Sequence, residues 1–133
     1  MAQRHFTPEE ANELLAEVRP AAEELVAHRR ALMVTTARRA RLVSRIAGNG
    51  GDFDPQEPSE LDEQLEREAE AVAGAVEELQ ELGVLVKDLD RGLVDFPALR
   101  DGEEVLLCWQ VGEDEVSFWH GLEEGFAGRK PLP

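Results

Sequence analysis

The side chains able to do chemistry concentrate in the last third of the chain. His120 with Glu115, Glu123 and Glu124 combines an imidazole with carboxylates, the mixed donor set used by zinc, iron or manganese, and Asp95 could add a further oxygen. His120 leads directly into Gly121-Leu122-Glu123-Glu124-Gly125. A tail that doubles back would therefore face the imidazole and both glutamates into one pocket holding a divalent metal, with Arg129 closing it. The competing reading is structural: a lone histidine at a strand end beside Trp119 hydrogen-bonds a backbone carbonyl or a carboxylate. Arg129 follows Gly125-Phe126-Ala127-Gly128 and could fold back to pair with Asp95 or Glu113, or grip an anionic ligand with two parallel bonds. Cys108 is the single cysteine. Beside Trp109 on an expected inner strand it reads as a small buried hydrophobe, because a nucleophile needs exposure and a lowered pKa. Ser117 lacks a G-x-S-x-G elbow, and no Walker or dinucleotide glycine motif occurs, which argues against ATP and NAD sites. The cofactor reading is limited to a divalent metal, and no reaction is assigned.

These residues must be positioned by a hairpin. Two runs with period-two alternation flank Gly112-Glu113-Asp114, and both are rich in β-branched and aromatic residues. With Glu113 and Asp114 as the loop, Val105, Leu107, Trp109, Val111, Val116, Phe118 and His120 share the core face, and Leu106, Cys108, Gln110, Glu115, Ser117 and Trp119 share the other. A three-residue loop would shift the register by one and move Trp119 to the core set. Trp109, Phe118, Trp119 and Phe126 are read as core and lid. Upstream, Val84-Leu85-Val86-Lys87-Asp88 is an expected short strand, and Leu93-Val94-Asp95-Phe96 another, stopped by Pro97. The tail from Gly121 to Pro131 is expected to be a loop.

Everything before Gly83 reads as helix. Phe6-Thr7-Pro8-Glu9-Glu10 carries a capping box, Thr7 with Glu10, and a proline at the first helical position. Apolar residues then recur near helical period to Ile46, with Pro20 predicting a kink in one long helix and Gly48 offering a stop. Gly48-Asn49-Gly50-Gly51-Asp52-Phe53-Asp54-Pro55 has the composition of a solvated linker and lacks the spacing of a calcium loop. A second helix is expected to start at the cap Ser59, to carry Leu61, Leu65, Val72, Val76, Leu79 and Leu82 as a seam, and to end at Gly83. Residues 28 to 45 hold Arg29, Arg30, Arg38, Arg39, Arg41 and Arg45 without an acid, whereas residues 52 to 70 are acidic apart from Arg67. Folding at the linker would neutralise one against the other in an antiparallel hairpin.

The formal net charge of −15 over 133 residues repels polyphosphate and anionic membrane surfaces, so nucleic acid is not an expected partner. One cysteine, no apolar segment after Met1 and no bilayer-length apolar run point to a cytoplasmic protein. The expected architecture is α+β and a single domain over residues 1–133: a long antiparallel helical hairpin at about 7–83, then a small antiparallel sheet of three to four strands over about 84–133.

Val86-Lys87-Asp88, Gly92-Leu93-Val94-Asp95-Phe96-Pro97, Leu107-Cys108-Trp109, Gly112-Glu113, Phe118-Trp119-His120 and Gly125-Phe126-Ala127-Gly128-Arg129 together resemble the uncharacterised bacterial family DUF2203, a domain of unknown function. The helical half matches more loosely, through Phe6-Thr7 and Val18-Arg19-Pro20. The resemblance implies a small bacterial cytoplasmic protein and brings neither a reaction nor a catalytic residue. A rod of about 40 helical residues, roughly 60 Å, exceeds what a compact domain needs, so the first functional expectation is a non-enzymatic protein that self-associates through its helices, most simply as a dimer. The alternative is a metal- or small-ligand-binding protein, enzymatic or not, with its site around His120.

Overall fold

The Thr7 hydroxyl accepts the Glu10 N–H at 3.1 Å, and the Glu10 carboxylate accepts the Thr7 N–H at 2.9 Å. This capping box opens helix α1 (Pro8–Gly48) in the computed structural model, which describes residues 4–133. The helix is continuous through Pro20. A proline there forfeits one backbone bond, but Val18, Ala21, Ala22 and Leu25 on either side are fully packed, and burial on that scale outweighs the loss.

Helix α2 (Gln56–Glu81) begins three residues ahead of the expected cap. Asp54, not Ser59, satisfies the first turn: its carboxylate accepts the Gln56 N–H at 3.0 Å and its carbonyl the Glu57 N–H at 3.2 Å. Pro55 and Pro58 have the restricted φ that a first turn requires, which the reading from Ser59 overlooked. The helix stops as expected at Gly83, whose φ of +96° only glycine adopts readily.

The two helices form the expected antiparallel hairpin. Arg39 pairs with Asp62 at 2.6 Å, Arg45 with Glu57 at 2.7 Å and His28 with Glu68 at 2.7 Å. The two exposed arginine pairs each contribute about 0 to 1 kcal/mol, so they set alignment more than stability. Leu42 and Leu61, both buried, supply the apolar contact surface toward the tip.

The chain then makes a five-stranded antiparallel meander: β1 (Leu85–Asp88), β2 (Leu93–Arg100), β3 (Glu103–Trp109), β4 (Phe118–Gly121) and β5 (Lys130–Pro131), in the order β1-β2-β3-β4-β5. This is one strand more than expected. The tail is not all loop, because Lys130 and Pro131 pair with Trp119 and Phe118. Nor does Pro97 end β2. Its carbonyl accepts the Phe6 N–H at 2.7 Å, so its nitrogen also points away from β3, to the side where β1 has already finished and no ladder donor is needed.

The hairpin register also differs from the two-residue-loop reading. Leu107 stands opposite Trp119, Cys108 opposite Phe118 and Leu106 opposite His120. Trp119 therefore joins the core side, while Phe118 and His120 share the outer face with Cys108. The connection spans residues 110–117 rather than a tight turn, and α1 holds it. Asn12 exchanges bonds with the Val116 backbone at 2.7 and 3.2 Å, and Arg19 donates to the carbonyls of Glu113 and Asp114 at 3.0 and 2.6 Å. The Trp109 indole N–H also donates to the Glu113 carbonyl at 3.0 Å.

One core lies between the helices and the inner sheet face. It joins Leu15, Val18, Leu25, Ala75 and Leu79 to Val94, Phe96, Leu107 and Trp109, with Phe6 edge-on to Phe96 at 5.4 Å. On the helices this core ends near Leu25 and Val72. Beyond them α1 and α2 pack on each other as an arm.

Candidate functional site

The outer face of the sheet carries a polar cluster from three adjacent strands. Asp95 on β2 stands opposite Cys108 on β3, and His120 on β4 reaches diagonally across β3 toward Asp95. All three are at most 3 % exposed, and one ligand atom of each lies within 4.8 Å of the others. His120 Nδ1 donates to the Gly121 carbonyl at 2.8 Å, because a carbonyl can only accept. That fixes Nε2 as the nitrogen facing Asp95 Oδ1, at 3.1 Å.

The residues around the cluster are fully engaged. Burial pushes the Asp95 carboxyl above the usual range, while the His120 ring beside it pulls the other way. Burial, reinforced by the Asp95 carboxylate, raises the Cys108 thiol to about 11, against a smaller lowering by Arg129. Cys108 is therefore a thiol at neutral pH and is not presented as a nucleophile. Arg129 Nη1 lies 3.8 Å from Cys108 Sγ, its other end pairs with Glu113, and its guanidinium stacks over Phe118 at 3.7 Å and Phe126 at 4.5 Å. Of the alternatives for Arg129, the pair formed is with Glu113, not with Asp95.

Of the five residues considered as metal ligands, His120 and Asp95 come together and the three glutamates do not join them. His120 is buried with Asp95. Glu124 caps the following turn, taking the Gly121 N–H at 2.8 Å and the Lys130 ammonium at 2.9 Å, and those bonds, the Gly121 N–H first, lower its pKa. Glu123 is exposed in the tail, and Glu115 is exposed in the loop near Asn12, beside Val116 and Ser117. The cluster instead draws Asp95 and Cys108 to His120. The sequence named both residues, but only the register brings them together.

A second feature lies on the arm. Met33, Val34 and Val43 are each more than half exposed on α1. Val26, Arg29, Arg30, Met33, Val34 and Asp90 line a groove of about 360 Å³, closed at one end by the Arg29–Asp90 pair at 3.0 Å. Among the described residues, no helix is long and apolar enough to cross a membrane.

The family described as an uncharacterized conserved protein, DUF2203, matches residues 4–132. No curated protein and no solved structure matches the chain.

Proposed function

The chain belongs to the DUF2203 family, and we propose that it is a non-enzymatic interaction protein that pairs with a second copy of itself through the helical arm. The observation that carries this reading is the exposed Met33–Val34 ridge on a part of α1 that lies beyond the core, where its neighbours among the described residues are α2 and the turn that holds Asp90. Large apolar side chains grouped on one exposed helix face mark a surface that is covered in use.

Charge favours a second copy as the cover. An antiparallel two-fold centred at Met33 and Val34 sets Arg41 of one copy level with Val26 of the other, beside that copy's exposed Glu23 and Glu24. Arg41 of each copy then lies near the acids of its partner, while Arg38 stands level with Arg29 and the far-half Arg39 and Arg45 keep their own pairs with Asp62 and Glu57; the closed pair has the commonest symmetry of soluble oligomers.

Light scattering tests it. The unmutated protein should have the mass of two chains at tens of micromolar, and a Met33→Glu/Val34→Glu variant, which keeps the buried residues of α1, the mass of one. A monomer in both cases overturns the proposal.

A further inference from the structure

The buried cluster on the outer sheet face has a requirement of its own. His120 Nδ1 is committed to the Gly121 carbonyl, so the neutral ring directs the Nε2 lone pair at Asp95 Oδ1, 3.1 Å away. Two lone pairs that close, with almost no access to water, need a cation between them. The cation is either a proton or a metal ion.

From this arrangement we infer that Asp95, Cys108 and His120 form a binding site for a divalent borderline-soft cation of the zinc class. Imidazole nitrogen, carboxylate oxygen and thiolate sulfur are the three donors zinc takes in proteins, with bonds of about 2.0 to 2.3 Å, which sets tetrahedral ligand atoms about 3.3 to 3.7 Å apart. The three atoms here all lie within 4.8 Å of one another, so side-chain adjustment alone suffices. The Nδ1–H to carbonyl bond is the outer support that metal-bound histidines ordinarily have. One thiolate and one carboxylate balance the two positive charges, leaving a neutral unit to bury. The Arg129 guanidinium, 3.8 Å from Cys108 Sγ, is placed to donate to the sulfur once its proton has left, and its own charge is matched by Glu113. The ion would tie β2, β3 and β4 together beneath the Phe126–Arg129 segment, with its fourth tetrahedral position, which none of the three residues fills, left to a small exogenous ligand such as water.

Binding exchanges protons for the ion: the thiol proton and the proton held between Asp95 and His120 pass to solvent as the three bonds to the metal form. The test is titration of chelator-treated full-length protein with Co²⁺, followed by displacement with Zn²⁺. The expected result is one equivalent bound, with the near-ultraviolet absorption of a thiolate–cobalt bond that disappears when Zn²⁺ is added. Cys108→Ala should lose that absorption, and Asp95→Asn should weaken binding at least tenfold. Because Asp95→Asn could unfold the sheet, circular dichroism accompanies it, and Cys108→Ser provides a second, near-isosteric variant that should bind more weakly without the sulfur band. Folded unmutated protein that shows no thiolate–cobalt band at millimolar Co²⁺, or a band that persists in Cys108→Ala, overturns the site.

Discussion

His120 Nε2 and Asp95 Oδ1 lie 3.1 Å apart across an intervening strand, with side chains only 4 % and 3 % exposed. Neither group reaches water, so each is the other's compensation for burial. Removing one partner should be far costlier than an exposed ion pair would suggest. His120→Ala leaves the Asp95 carboxyl buried alone, and we expect a loss of about 3 to 5 kcal/mol. Urea denaturation of chelated protein measures it. The double variant His120→Ala/Asp95→Ala should lose less than the sum of the singles, since it strands no polar group. A single-variant cost below about 1 kcal/mol would mean that the pair holds nothing.

The tail should depend on one side chain. Arg129 joins Glu113 in the loop over residues 110–117 to the rings of Phe118 and Phe126, and Arg91 adds a second cation over Phe126 at 4.7 Å. Arg129→Ala should speed amide exchange in residues 122–130 and leave the amides of Phe96 and Leu107 as slow as before. Equal acceleration in both regions would show that Arg129 supports the whole fold rather than the tail.

Acid should weaken the start of α1 in a defined way. The Thr7 N–H, and then the Thr7 hydroxyl, hold Glu10 below the usual carboxylate value. A carboxyl lowered by folding adds stability that is complete above its unfolded pKa and is lost as the pH falls through the folded one. Glu10→Gln should therefore flatten the acid limb of Tm against pH, and Thr7→Ala should cost about 1 kcal/mol at neutral pH through loss of the cap. An unchanged acid limb in Glu10→Gln would remove the capping box as its origin.

The helical half was legible because its signals are local. Thr7 and Glu10 are three residues apart, Gly83 stops α2 by its own backbone, and the arginine and acid blocks align once the linker turns. The sheet was legible as strands but not in register. The loop over residues 110–117 is shaped by Asn12 and Arg19, about a hundred residues earlier, and nothing near Gly112 in the sequence announces them. The same long-range effect moved His120 to the outer face and put Asp95 and Cys108 beside it in place of Glu123 and Glu124. Pro97 looked like a stop because a proline's harm depends on which side of the strand has a partner, and that is a property of the assembled sheet.

The arm-to-arm pairing of two copies is the central claim, and a cross-link at its proposed axis tests it most directly. In a Cys108→Ala background, Val34→Cys supplies a single exposed thiol on the ridge, close to its symmetry mate in an antiparallel pair. Mild oxidation followed by a non-reducing gel should give a covalent dimer for Val34→Cys, and little for Phe53→Cys, which is also exposed, in the linker, but far from the axis. A dimer band from Phe53→Cys as strong as that from Val34→Cys, or none from Val34→Cys, would contradict the account.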